Sequence, residues 1–204
     1  MIIAQNVFPV IIAKTKWQDR HLLGEAFDKE INDILNNVPE DRKIDTAKGE
    51  YSTTIRQFND IMNLPSVYPF RKWAESVMKD LWREIGYEDC DIAIERSWIN
   101  QFFKGSKLGG HAHGSTEMVM TYYHKMPAGS SAITFYNPFE GQTGMAPYRQ
   151  KLVTIQPEEG DLLAWPGFLW HEVEEQPVDG GRMAISMHVH QGSYALADRW
   201  RKIS

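Results

Sequence analysis

The stretch Gly109-Gly110-His111-Ala112-His113-Gly114-Ser115 sets two histidines two positions apart. On an extended backbone such residues share a face, so both imidazoles can reach one metal ion. The flanking glycines let the chain turn and approach closely, as a strand entering a pocket requires. By spacing alone, ligation and the plainer role of polar strand residues are about even. A third ligand has to come from elsewhere. His171 follows the tight corner Trp165-Pro166-Gly167, which places it at the start of a fresh strand, and a neutral imidazole suits iron or zinc. Beyond it, across the acidic stretch from Glu172 to Gly181, stands Arg182. A turn there would return the next strand antiparallel beside the first. The arginine fork can hold a dicarboxylate through bidentate, charge-assisted bonds of roughly 1.5–3 kcal/mol each when sheltered from water. Its plainer role, a surface strand charge, fits poorly beside Gly180-Gly181, with Ala184 and Ser186 sharing its side.

These side chains need a β framework to hold them. From Asp91 onward, short β-type runs alternate with Gly, Pro and Asn, and the spacing predicts strands at 92–103, 117–124, 131–136, 151–155, 161–165, 171–174 and 182–190. In the last, Met183, Ile185, Met187 and Val189 alternate with Arg182, Ala184, Ser186 and His188, so its two faces meet different surroundings. Upstream, the apolar run 7–13 is broken by Pro9 and suits an edge strand that opens the sheet. Leu23, Phe27, Ile31 and Ile34/Leu35 recur at helical spacing across 17–38, with Pro39 as a stop. A second helix is expected over 66–85, its stripe made by Phe70, Trp73/Ala74, Val77, Leu81 and Ile85, with Gly86 at its end. Residues 39–65 read as a long loop with one short strand near 51–55. Two helices followed by many short strands predict a mainly β, α+β fold: a jelly roll buttressed by N-terminal helices. We expect a single domain, 1–204, with the strand and helices in 1–90 and the β core in 91–204.

Composition narrows the function. The 204 residues are 42% hydrophobic and 24% charged, as in packed globular chains. A formal charge of −5 leaves no basic surplus for a phosphate backbone, so no nucleic-acid partner is expected. No apolar run reaches transmembrane length, and Met1 to Val10 lacks the basic start of a signal peptide. The lone Cys90, expected as a semi-buried small side chain, cannot form an internal disulfide. A cytoplasmic protein is expected; its oligomeric state is open, a homodimer included.

Several segments together resemble one known group. They are Val7-Phe8-Pro9-Val10, Ser97-Trp98-Ile99-Asn100, His111-Ala112-His113-Gly114-Ser115, Thr121-Tyr122-Tyr123, Gly160-Asp161-Leu162-Leu163-Ala164-Trp165-Pro166, Trp170-His171-Glu172-Val173 and Gly181-Arg182-Met183-Ala184-Ile185-Ser186. In this order, over nearly the whole length, the chain resembles the iron(II)/2-oxoglutarate-dependent oxygenase superfamily, within it an oxygenase family with phage and marine bacterial members. The resemblance implies a cupin-like double-stranded β-helix, with His111 and His113 as paired ligands, His171 as the distal ligand and Arg182 as the 2-oxoglutarate anchor. It also implies Tyr123 as a cosubstrate contact. By the same resemblance the expected cofactor is Fe(2+), the expected cosubstrate 2-oxoglutarate, and the expected reaction hydroxylation by molecular oxygen with release of succinate and carbon dioxide. The substrate, a small molecule or a peptidyl side chain, is not legible.

The chain departs from the pattern in two places. His113 stands where most members have a carboxylate, giving a three-histidine centre, with Glu117 as the alternative carboxylate. Ala184 stands where many have a hydroxyl, leaving Ser186 as the nearest one on that face. Two other readings follow: a three-histidine metal dioxygenase that does not use 2-oxoglutarate, and a non-catalytic cupin-like binding module. His188 and His190 are expected to line the pocket or the surface, and His124 to be a polar residue at a strand edge. Trp98, Trp165 and Trp170 are expected to pack the barrel, one at the rim also free to stack on substrate. Tyr148 and Arg149, after the flexible connection 138–147, are candidate substrate contacts.

Overall fold

The first strand among the described residues, β1 (Ala13–Lys16), begins where the apolar run expected to form it ends. The computed structural model describes residues 10–37, 52–55, 60–86, 91–114, 116–139 and 151–192, so Pro9, Cys90, Ser115, Tyr148 and Arg149 lie outside the described residues, as does most of the 138–147 connection. Lys14 and Lys16 are exposed on β1, which lies at a sheet edge as expected; edge lysines discourage pairing with another chain. A 3-10 turn (Arg20–Leu22) leads into α1 (Gly24–Asn36), which buries Phe27 and Ile31 completely. The short strand β2 (Ser52–Thr53) falls inside the expected 51–55 stretch. Two 3-10 turns follow, and the second, Pro65–Val67, runs into α2 (Tyr68–Glu84). Pro69 fits the helix's first turn, where N–H groups have no intrahelical acceptor. The buried stripe of α2 is Phe70, Ala74, Met78 and Trp82, with Trp73, Val77 and Leu81 flanking it. It is turned slightly from the expected stripe, with Met78 and Trp82 buried in the cluster that the helix shares with the sheet.

Eight further strands form the β core: β3 (Ile92–Phe102), β4 (Leu108–His111), β5 (Met118–Lys125), β6 (Ile133–Tyr136), β7 (Leu152–Ile155), β8 (Asp161–Pro166), β9 (His171–Val173) and β10 (Arg182–Gln191). They are antiparallel and form two sheets, ordered β1-β8-β5-β10-β3-β2 and β4-β9-β6-β7. From β3 to β10 the chain passes back and forth between the sheets, the winding of a jelly roll or double-stranded β-helix.

The central strand β10 is buried on both faces. Met183, Ile185, Met187 and Val189 join Phe27, Phe70 and Met78 in a dry cluster between the large sheet and the helices. The opposite face carries Arg182, Ala184 and Ser186 toward an internal cavity. The expected alternation is therefore real, but it separates an apolar seat from a site wall rather than core from solvent.

One expectation is corrected. β10 does not pair with the His171 strand: β9 pairs with β4 and β6 in the small sheet, whereas β10 pairs with β3 and β5 in the large one. The stretch 174–181 crosses between sheets instead of forming a hairpin. Gly180 and Gly181 both take positive φ there, of 109° and 69°. Gln176, fully buried, clamps the crossover: Ser131 N–H and Ser131 Oγ–H both donate to its side-chain carbonyl, and its own N–H donates to Ser106 O. His171 and Arg182 thus face each other across the barrel.

Candidate active site

β4 ends at His111, which lies in register with His171 at the start of β9. The backbone then leaves the sheet, so His111 and His113 do not share one continuous strand as their spacing suggests. A backbone clasp carries His113 inward: its N–H donates to Gly167 O at 2.8 Å, and Gly167 N–H donates to Glu117 O at 3.0 Å. A Cβ on Gly167 would run into the Thr116 carbonyl, part of the backbone that turns between the two histidines and β5. We expect Gly167→Ala to lower thermal stability by about 1–3 kcal/mol, the range for overpacking, because backbone cannot swing aside. A melting curve matching the wild type would show that the corner is softer than this. Gly110 differs: a Cβ there would meet the indole of the half-exposed Trp170, a side chain free to move.

The ligand-type nitrogens of His111, His113 and His171 all lie within 4.8 Å of one another, and His113 Nε2 is 3.3 Å from His171 Nε2. His111 Nδ1 lies 2.9 Å from Gly109 O, and His171 Nδ1 lies 2.8 Å from Leu169 O. A carbonyl only accepts, so both Nδ1 atoms carry the proton and leave Nε2 with a free lone pair. Burial holds His113 down at about 3, with His188, His171 and His111 adding to the effect. Burial also lowers His171 to about 4, against the opposing pull of its bond to Leu169. Neutral imidazoles converging on one point suit a divalent transition metal. The donor set fits iron.

A cavity of about 200 Å³ between the sheets runs from this cluster to Arg182. Arg182 is 2% exposed, and among the described residues no carboxylate pairs with it. Its Nε has no acceptor among the described residues, and the guanidinium lies 4.8 Å from the centre of the Phe102 ring and 5.3 Å from that of Tyr123. Burial lowers its proton affinity. An unpaired buried cation is costly, so this end of the cavity is made for an anion. Tyr123 is fully buried, its hydroxyl has no partner among the described residues, and burial pushes it up to about 12, so it stays protonated and able to donate. Ser186 Oγ lies on the same wall, 3.2 Å from Thr121 Oγ1 and accepting from Asn100 Nδ2 at 3.3 Å. All six sequence-predicted site residues thus line this one cavity, with the three histidines clustered together and Tyr123 beside Arg182.

Other candidates lie elsewhere. Glu117 is exposed, and its carboxylate accepts from Gln191 N–H at 2.7 Å, away from the cluster. His190 contacts Glu95 and Thr116, and His124 contacts Asp28 and packs edge-on against Phe27. His124 lies at the end of β5, as expected, next to its last residue and outside the register with β8 and β10, and it is part-buried. Trp98 and Trp165 are buried walls of the cavity, while Trp170 is 51% exposed. Sequence reading missed the place of His188: its Nε2 lies 2.8 Å from His113 Nδ1. Its shared parity with Arg182 was the available signal that it faces inward.

Residues 96–188 match the model of a family described as "Putative 2OG-Fe(II) oxygenase". Among solved structures, the chain is similar to the non-heme alpha ketoglutarate dependent epimerase SnoN from nogalamycin biosynthesis, at TM-score 0.65 and 10% identity, covering 88% of this chain and 77% of that one. It is similar to a Pseudomonas putida prolyl-4-hydroxylase at TM-score 0.57 and 11% identity, covering 88% and 92%. HygX from Streptomyces hygroscopicus, with nickel, 2-oxoglutarate and hygromycin B bound, aligns at TM-score 0.57 and 10% identity over 91% and 83%. At such identities the structural likeness speaks for the fold. No protein of curated function matches the sequence significantly.

Proposed function

We propose, from the premise that this chain belongs to the non-haem iron(II), 2-oxoglutarate-dependent oxygenases, that His111, His113 and His171 hold its iron and Arg182 anchors its cosubstrate. When bound, iron and 2-oxoglutarate supply the oxidising chemistry, in which molecular oxygen hydroxylates a substrate C–H bond and the cosubstrate leaves as succinate and carbon dioxide. Arg182 holds the carboxylate remote from the metal, and Tyr123 donates a hydrogen bond beside it. Ser186 contributes a hydroxyl to the same wall. Buried aromatic walls, Trp98 and Trp165 among them, keep bulk water from the reacting groups. The observation that carries this reading is the buried guanidinium, with no carboxylate partner among the described residues, in one cavity with three clustered imidazoles.

Family membership implies a small-molecule or peptide substrate together with oxygen. Among the described residues no helix is long and apolar enough to cross a membrane. We place the enzyme in the cytoplasm, where ferrous iron and the lone Cys90 stay reduced, and take nucleic acid to be no partner, given the acidic balance. We also take 1–204 as one domain, since β1 and β2 complete the large sheet and both helices pack under it. Protein loaded with Fe(II) under nitrogen is expected to bind 2-oxoglutarate in calorimetric titration and to form succinate on admission of air. Iron binding without 2-oxoglutarate binding would leave the three-histidine dioxygenase, which the third imidazole favours. Binding of both without turnover would leave a non-catalytic module.

A further inference from the structure

We propose that His188 is a positioning residue for the metal centre: its imidazole accepts the Nδ1 proton of His113 and so fixes the tautomer in which His113 Nε2 faces the metal. This rests on the ligand assignment above. A neutral imidazole carries one N–H, and only the other nitrogen can bind a metal. For His111 and His171 the choice is settled by the backbone, through Gly109 O at 2.9 Å and Leu169 O at 2.8 Å. Among the described residues, no carbonyl meets the His113 ring. Its Nε2 points into the cluster, 3.3 Å from His171 Nε2, and its Nδ1 meets His188 Nε2 at 2.8 Å.

That pair has two settings. With the His188 proton on Nε2, His188 donates, and the single proton of His113 sits on Nε2, where it blocks the third donor. With the His188 proton on Nδ1, His188 accepts, and His113 Nε2 is free. Only the second setting makes a three-nitrogen site. Accepting this proton also raises the basicity of the ligating nitrogen, as partners of metal-bound histidines generally do.

His188 is well placed to hold the setting. It sits on β10 between β3 and β5, in register with Arg96 and Val119, and Trp98 packs edge-on against its ring at 4.9 Å between centroids. The strand that carries Arg182 at one end therefore carries the partner of the third ligand near the other. One rigid element fixes both ends of the cavity.

The test uses the full chain loaded with cobalt(II), a paramagnetic probe that shifts the N–H resonances of ligating imidazoles. Wild type is expected to show three shifted, exchangeable N–H signals, one per ligand. His188→Leu, which keeps bulk but no acceptor, is expected to lose or broaden one of them and to bind cobalt about 10–100-fold more weakly. His188→Gln, whose amide oxygen can accept, is expected to restore the signal and much of the affinity. Three signals and wild-type affinity in His188→Leu would overturn the proposal. Should that variant not fold, the wild-type spectrum decides: a nuclear Overhauser effect between the His113 N–H and the His188 ring is expected, and its absence overturns the pairing. His171→Ala separates the two levels. If it binds cobalt as tightly as wild type, the ligand assignment itself has failed; if it does not bind while His188→Leu binds normally, only the role of His188 has.

Discussion

Arg182→Ala is expected to weaken 2-oxoglutarate binding by about 2–5 kcal/mol, the cost of truncating one partner of a buried, hydrogen-bonded charge pair, and to leave metal affinity unchanged. The guanidinium is buried with no carboxylate of its own among the described residues, so its charge is left for a ligand. Arg182→Lys should recover only part of the loss, because one ammonium cannot reproduce the planar fork. The same geometry sets a sign for stability. Without ligand, an uncompensated buried cation works against folding, so Arg182→Met is expected to melt no lower than wild type when both are free of cosubstrate. Added 2-oxoglutarate should then raise the wild-type melting temperature by mass action and leave Arg182→Met where it was. Anaerobic calorimetry on the iron-loaded proteins and melting curves with and without 2-oxoglutarate check both halves. Unchanged affinity in the Ala variant would remove the anchor; a marked drop in the unliganded Met variant would mean that Arg182 serves the fold.

How far the sequence reaches is clearest on β10. Period-2 alternation correctly divided Met183, Ile185, Met187 and Val189 from Arg182, Ala184 and Ser186, since adjacent side chains on a strand must point opposite ways. It could not say which strand lies beside which. Pairing is decided by connections such as 174–181, where two glycines with positive φ and a clamp at Gln176 send the chain across to the other sheet. The α2 stripe shows a similar limit. The expected stripe runs through Trp73/Ala74, Val77 and Leu81, whereas the buried row is Phe70, Ala74, Met78 and Trp82; the choice of row depends on the sheet beneath, which local periodicity does not contain. At the site, spacing led to His111 and His113 by way of a single strand, whereas the structure ends β4 at His111 and holds His113 by a backbone bond to Gly167. The contact between His188 and His113 depends on register across three strands, so side-chain parity could mark His188 as inward but not name its partner.

Replacing His171 or His111 with Ala is expected to abolish stable iron binding and leave the fold standing. Two neutral imidazoles remain in either variant, and the described donors near them offer no replacement: Glu117 is turned to Gln191, and His188 is engaged with His113 through the nitrogen that faces it. The fold does not need the metal. Its larger apolar cluster joins both helices to the outer face of the large sheet, through Phe27, Phe70, Met78 and Ile185, on the side away from the histidines. Circular dichroism should therefore match wild type while metal analysis finds none, and full iron stoichiometry in either variant would refute the assignment. His113→Asp is the informative opposite case, expected to retain or improve iron binding. A carboxylate brings its own charge and has no tautomer to set, so the centre should cease to depend on His188. Adding His188→Leu to His113→Asp should then cost little, although the same change costs about 10–100-fold with His113 present. That difference is the coupling between the two histidines, and additive losses in the double variant would show that His188 acts on the fold rather than through His113.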